Sequence, residues 1–331
     1  MSSSPAGAVL VTGGAGYIGS HMALALLDRG ERVVVLDNLS TGIRAQVGEA
    51  ATFVEGHAGD AALVRRLIDE HRISDVIHFA GSIVVPESVA EPLRYYANNV
   101  LQSHALIETC VERGVKHFIF SSTAAVYSAE ARQPISETEA KIPMSPYARS
   151  KLMTEWMLQD ATNAYGLRHI ALRYFNVAGA DPKGRTGQST PKATHLIKRA
   201  AQVALGRLPH LDIFGTDFST PDGTGVRDYI HVSDLIAAHL LALDSLRSGA
   251  ESDCYNCGYG KGLSVREVVR AVERVTGKPL PVRDGPRRPG DPPMLVADPT
   301  KLKRALNWVP RHEDLDEIVR SALAWEQRRF N

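Results

Sequence analysis

With 331 residues, 44% of them hydrophobic, the chain can bury a sizeable core and is long enough for two domains or one large α/β unit. Lys and Arg (38) nearly balance Asp and Glu (37), and the net charge of +1 is spread without a basic stripe or acidic tail, which argues against nucleic acid or a basic protein as partner. No apolar run is long enough to span a bilayer, and three cysteines fit a reducing compartment, so the expected location is cytoplasmic, with no membrane partner and no metal.

Residues 1–7 are small and polar, lack the basic and apolar regions of a signal peptide, and read as a disordered leader. An apolar run at 8–11 then leads into Thr12-Gly13-Gly14-Ala15-Gly16-Tyr17-Ile18-Gly19, and an apolar-periodic run continues at 18–27. That is strand, glycine turn, helix. Gly13 turns where a Cβ would clash, Gly16 lets backbone approach a phosphate, and Gly19 lets the helix lie close to the strand. The first helical turn directs N–H groups and the positive end of its dipole at a pyrophosphate. The next strand ends in Asp37, whose carboxylate can accept from ribose hydroxyls and would repel a 2′-phosphate. The expected cofactor is therefore NAD rather than NADP.

Strands are expected at 8–11, 32–37, 52–55, 75–79, 117–121 and 169–173, alternating with helices at 17–29, 60–70, 92–113 and 146–165. The rhythm implies an α/β fold with a doubly wound parallel sheet, whose ligands bind beyond the carboxyl ends of the strands. Those ends carry the glycine turn, Asp37, His57, Phe79-Ala80-Gly81, Ser121-Ser122-Thr123 and Tyr174-Phe175-Asn176. Beyond residue 178 the texture changes. A mobile connection is expected at 181–192, then helices at 194–205 and 233–246, a stiffened extended loop at 279–293, and short helices at 300–306 and 315–328. The second half reads as a smaller C-terminal α/β lobe. Cys254 and Cys257 have CxxC spacing but sit in a strand-like run, where positions three apart face opposite sides, and read as structural.

Tyr147 and Lys151 are four apart on the expected 146–165 helix and share one face. A tyrosine is a poor base near pH 7, but a neighbouring ammonium and a positive nicotinamide ring favour its phenolate. Tyr147 could then take a proton from a substrate alcohol while hydride leaves the same carbon. A hydroxyl at the Ser121-Ser122-Thr123 strand end can bond the reacting oxygen, with Thr123 preferred to Ser122.

The glycine turn, Thr123, Tyr147-x-x-x-Lys151 and Arg173-Tyr174-Phe175-Asn176 resemble the extended short-chain dehydrogenase/reductases. Asp37-Asn38-Leu39, His78-Phe79-Ala80-Gly81, Tyr95-Tyr96-x-Asn98-Asn99, the 223–232 run and Arg287-Arg288-x-Gly290-Asp291 resemble the branch that inverts C4 of UDP-hexoses. The resemblance covers about 9–325 and implies a Rossmann domain at 1–178 that binds NAD tightly. It also implies a UDP-sugar lobe at 179–331, with about 228–247 packing back on the first domain. Thr123, Tyr147 and Lys151 would be catalytic. Gly13, Gly16, Tyr17, Ile18, Gly19, Asp37, Asn38, His57, Ala58, Phe79, Ala80, Gly81, Asn98 and Tyr174 would join Tyr147 and Lys151 around NAD. Phe175, Asn176, His195, Leu196, Ile213, Phe214, Arg227, Arg288, Asp291 and Leu295 would join Thr123 around the substrate, the two arginines on its diphosphate. The implied reaction interconverts UDP-galactose and UDP-glucose through a transient 4-keto sugar that swings to present its other face. A homodimer is expected through the 92–113 and 146–165 helices, with Leu93, Tyr96, Val100, Leu106 and Ile107 as an apolar stripe.

Three positions depart from the pattern of many relatives. His57-Ala58 stands where Asp-Ile is common, and Ile83 where a lysine would pair with a phosphate. Leu295 is bulky at the position that controls room for an N-acetyl group, which predicts a preference for UDP-Glc and UDP-Gal. A dehydratase would need an acid after Thr123, where Ala124-Ala125 stand instead, and a glucuronate epimerase would need a cation that Ile83 does not supply. A UDP-xylose/UDP-arabinose 4-epimerase stays open. A non-catalytic NAD sensor predicts a broken Tyr–Lys pair, and both residues are present.

Overall fold

Strand β1 (Val9–Thr12) is buried along its whole length, as a strand covered on both faces must be. The computed structural model describes residues 7–190, 194–288 and 290–328. All of the expected leader but Gly7, and residues 191–192 of the expected connection, lie outside the described residues. The chain continues through β2 (Val33–Asp37), β3 (Thr52–Glu55), β4 (Asp75–His78), β5 (His117–Thr123), β6 (Arg168–Tyr174), β7 (Asn176–Ala178), β8 (Leu211–Phe214), β9 (Val226–His231), β10 (Asp253–Cys257), β11 (Gly262–Ser264), β12 (Val282–Gly285) and β13 (Met294–Leu295).

Seven strands form one sheet in the order β10-β6-β5-β4-β1-β2-β3. The β3–β2, β2–β1, β1–β4 and β4–β5 pairs all run parallel. From β1 the chain builds outward to β3, then returns to β4 on the other side, so the order reverses beside the carboxyl end of β1. Ligands of doubly wound sheets bind at such a reversal. All six strands expected in the first half are present within two residues of their expected ends.

The chain divides into two compact units. The first runs to Val126 and adds Lys141–Arg173 and His239–Tyr255; the second comprises Tyr127–Ala140, Tyr174–Ala238 and the chain from Asn256 onward. In the first unit, Leu10, Val34, Leu67, Leu106, Phe118 and Leu158 belong to one buried cluster. Arg247 ties the returning segment down through ion pairs to Glu31 and Asp75, each at 2.8 Å.

The expected 92–113 helix is built differently. A short helix, Val85–Ala90, precedes Pro92–Tyr96, a π turn at Ala97–Leu101 and the helix Gln102–Glu112. The extra residue of a π turn rotates the downstream helix and breaks the single stripe. Leu93 stays exposed, whereas Leu106 and Ile107 are buried in the core of the first unit and are not available to a partner.

In the second unit β9 is central: β11 pairs with it antiparallel, and β13 and β7 pair with it parallel. Strand β8 pairs in parallel with β12, so the expected 279–293 loop contains a strand that its prolines and arginines conceal. Helices Leu196–Ala204, Val265–Thr276 and Leu315–Arg328 pack on one another. Residues 181–190 are not a loose connection. Thr186, Gln188 and Ser189 are buried, Arg185 pairs with Asp181 at 2.9 Å, and the indole of Trp325 donates to Ser189 Oγ. Among the described residues no helix is long and apolar enough to cross a membrane.

Candidate active site

The glycine turn is fixed by sterics. Gly13 has φ +70°, and a Cβ there would come within 2.6 Å of the Ala80 nitrogen. A Cβ on Gly19 would lie 2.2 Å from the Gly13 carbonyl oxygen, so the helix Tyr17–Asp28 sits directly on the turn. At Gly16, the N-cap of that helix, only the Gly13 oxygen borders the Cβ position, at 3.2 Å. No side chain caps the helix start, and helix geometry leaves its first N–H groups without carbonyl partners in the helix. Tyr17, Ile18 and Gly19 form that first turn. This cradle, which a side chain would fill, fits a dinucleotide pyrophosphate.

Asp37 is buried at the end of β2 and accepts from the Ala15 nitrogen at 2.9 Å and the Leu39 nitrogen at 2.8 Å. Burial pushes its carboxyl up, against the pull of those two hydrogen bonds. Each oxygen keeps a lone pair, so the carboxylate braces the turn and can still meet a ribose. Asn38 lies 3.4 Å from the exposed His57 ring, whereas Ala58 belongs to the buried core. Phe79 packs on His239 with ring centres 5.1 Å apart, and Ile83 is exposed without supplying a cation.

Ser145 caps the helix Pro146–Tyr165 by accepting from the Ala148 nitrogen, with Pro146 at the first helical position. This places Tyr147 in its first turn, beside Thr123. Burial pushes the Tyr147 phenol up and the neighbouring Thr123 hydroxyl pulls it down. Lys151 is buried one turn on, donates to the Ser121 carbonyl at 2.9 Å and lies 4.9 Å from the Phe120 ring centre. Burial pulls its ammonium down to about 8, against the attraction of Glu155. Ser122 is committed elsewhere, donating to Glu155, which leaves Thr123 as the strand-end hydroxyl facing Tyr147.

Several supporting residues escape a reading of the sequence. Asn99, buried by the π turn, accepts from the Ser82 nitrogen and donates to the Ser82 carbonyl and Ser150 Oγ. It thereby fastens the chain after Gly81 to the Tyr147 helix, while Asn98 donates to Ser82 Oγ. The signal was a pair of asparagines in mid-helix, where they are poor helix formers. His78, buried under this layer, bonds Thr12 Oγ1 at 2.6 Å and Ser103 Oγ at 2.9 Å. Burial holds its imidazole neutral, pulled down to about 3.

The second unit groups the remaining expected residues. Tyr174 and Phe175 are buried, and Asn176 opens β7. His195 is the N-cap of the Leu196–Ala204 helix, 3.3 Å from the Gln188 amide, and burial pulls its imidazole down. Arg227 and Leu295 are register partners on β9 and β13, and Arg227 reaches Asp291 at 3.8 Å. Ile213 is buried in β8, and the neighbouring Phe214 carries the Arg288 guanidinium 3.8 Å above its ring.

A phosphate-cradling glycine turn together with a tyrosine one helical turn from a buried lysine marks a dinucleotide-dependent enzyme working on an alcohol or ketone carbon. The model of the NAD dependent epimerase/dehydratase family matches residues 9–258, and the chain belongs to that family. It is 58% identical to a UDP-glucose 4-epimerase of Azospirillum brasilense over 96% of this chain and 92% of that one. A crystal structure of UDP-glucose 4-epimerase from Brucella ovis in complex with NAD superposes with a TM-score of 0.93 at 46% identity, covering 96% of this chain and 98% of that one. A Stenotrophomonas maltophila UDP-glucose-4-epimerase with bound NAD and formylated UDP-arabinopyranose superposes with a TM-score of 0.94 at 40% identity, covering 98% and 99%.

Proposed function

We propose that this chain interconverts UDP-galactose and UDP-glucose by NAD-dependent inversion at C4 of the sugar. The observation that carries the reading is a buried Lys151 one helical turn from Tyr147, with the Thr123 hydroxyl at the end of β5 beside that phenol. Gly13, Gly16, Tyr17, Ile18, Gly19 and Asp37 would hold NAD, with Asn38, His57, Ala58, Phe79, Ala80, Gly81, Asn98 and Tyr174 around it. Bound there, NAD supplies the acceptor and donor of hydride. Tyr147 Oη removes the proton of the sugar 4-hydroxyl and later returns it. Thr123 Oγ1 aligns that hydroxyl. The Lys151 ammonium, charged at neutral pH, would favour the phenolate when Tyr147 gives up its proton.

Inversion at one carbon requires a firmly held diphosphate and a loosely held sugar. In the second unit the cations supply the first: Arg227 and Arg288 grip the diphosphate, and Asp291 accepts from the uridine ribose. Ile213 and Phe214 receive the uracil. Phe175, Asn176, His195 and Leu196 line the sugar and diphosphate, and Leu295 disfavours an N-acetyl group at C2. Arg288→Ala is expected to raise the KM for UDP-galactose about tenfold, with kcat changed less. Steady-state kinetics returning an unchanged KM would remove Arg288 from this role.

Purified protein incubated with UDP-galactose and no added NAD should yield UDP-glucose by chromatography. No product with or without added NAD would overturn the reading. The pentose complex of the Stenotrophomonas relative favours testing UDP-xylose alongside. Turnover of that sugar alone would reassign the substrate.

The working form is a homodimer. Leu93 (80% exposed) before the π turn and Leu101 (64%) at its end, with Trp156 (58%) on the packed neighbouring helix, form the apolar face a second copy would cover. Light scattering should give twice the chain mass, and Leu101→Glu should shift it toward the monomer. A monomeric wild type would overturn the assignment.

A further inference from the structure

Tyr147, Lys151 and Glu155 occupy positions i, i+4 and i+8 of one helix and share a face. Three successive residues of β5 meet them. Thr123 lies beside the Tyr147 hydroxyl, the Ser121 carbonyl accepts from Lys151, and Ser122 Oγ donates to Glu155 Oε1 at 2.5 Å. Glu155 is buried and further gripped by Arg173 from β6, through Nε at 3.0 Å and Nη2 at 2.6 Å. A buried ion pair of this kind is often no more stabilising than an apolar pair of the same volume. Its presence directly behind the catalytic pair therefore calls for another role.

We propose that Glu155 is a positioning residue for catalysis: locked by Ser122 and Arg173, it fixes the helix against the end of β5 and holds the buried Lys151 in its charged form. The charged and titratable groups around this pair leave Glu155 as the carboxylate that does so. His78 on β4 faces Lys151 and is kept neutral by burial. Burial pulls His169 on β6 down to about 4, against the attraction of Glu155 and Asp253. Arg173 is a second cation, spent on Glu155, and Tyr147 is the group served. Burial works against the Lys151 ammonium, and the attraction of Glu155 works for it. With Glu155 neutral, Lys151 would lose its proton closer to neutrality, and the Tyr147 phenolate would lose its counter-charge.

The inference deepens the proposed epimerase reading and rests on it. Two measurements keep them apart. In ligand-free protein carrying ¹³C-labelled lysine, NMR follows the titration of Lys151, and Glu155→Gln should move it to lower pH by about one pH unit. In the loaded enzyme, the alkaline limb of the kcat profile with UDP-galactose should move the same way, with KM changed less than about twofold. Thermal unfolding checks the fold of each variant. Glu155→Gln leaves Arg173 without its carboxylate, so Glu155→Gln/Arg173→Gln, which removes both charges, carries the same test should the single variant fail to fold. Loss of the Arg173 cation by itself favours the Lys151 ammonium, so the double variant should show the same downward shift at reduced size. An unmoved Lys151 titration and an unmoved alkaline limb in a folded variant would overturn the role of Glu155. A wild type inactive on UDP-galactose would overturn the epimerase reading and leave the NMR titration to decide on Glu155.

Discussion

Tyr147→Phe is expected to lower kcat for UDP-galactose by about 10³-fold, with the fold and bound NAD retained and KM within a few-fold of wild type. The ring contributes packing that phenylalanine keeps; only the hydroxyl is lost. That hydroxyl has only the small, rotatable Thr123 side chain as its polar neighbour, so the structural cost is small. The chemical cost is large, because the polar groups nearest it among the described residues are engaged elsewhere. Ser122 is bound to Glu155 and Lys151 to the Ser121 carbonyl. His78 lies beneath the site, held by Thr12 and Ser103. Steady-state rates with a parallel measurement of NAD content check this. Wild-type turnover in the variant would show that another group is the base.

Gly19→Ala should purify with little or no NAD and should unfold roughly 4–8 °C below wild type, for a cost of about 2 kcal/mol. The new methyl group would meet the Gly13 carbonyl oxygen at 2.2 Å, a contact with backbone that no rotamer can relieve. Either the helix Tyr17–Asp28 lifts off β1 or the turn moves, and each displaces the N–H groups meant for the pyrophosphate. Gly16→Ala gives the contrast. Its Cβ meets only the Gly13 oxygen, at 3.2 Å, so the melting point should hold while NAD binding weakens. Absorbance of released cofactor and calorimetry read both quantities. A Gly19→Ala protein with full NAD content and an unshifted melting point would contradict the packing of helix on turn.

The strands of the first half were legible because fully buried parallel strands write themselves as apolar runs punctuated by turns, and β1, β2 and β5 are such runs. Tyr147 and Lys151 were legible because helix periodicity alone puts them on one face. Glu155 obeys the same periodicity, yet an acid four residues after a lysine reads equally as a solvated surface pair, and only the burial of Arg173 shows otherwise. The Leu106–Ile107 error has a local cause. A π turn shifts helical phase by one residue, and no pattern of apolar positions records it. Strand β12 was hidden because Val282–Gly285 is half charged and ends in glycine, its pairing with β8 coming from tertiary contact. Residues 181–190 looked loose because glycine and polar residues usually line loops, while here the polar groups find partners inside the second unit.

The seven-stranded sheet has one member supplied late. Strand β10 lies beside β6 at the edge, although about eighty residues of chain separate them. During synthesis the amino-terminal half therefore leaves the ribosome with the backbone of β6 unpaired along one side. An open edge of this kind invites pairing with another chain until Asp253–Cys257 arrives to cover it. A fragment ending at residue 178 would keep that edge open permanently. The amino-terminal half is thus not a module that can be cut out at residue 178, because its last hydrogen-bonded ladder is made by the later half of the chain.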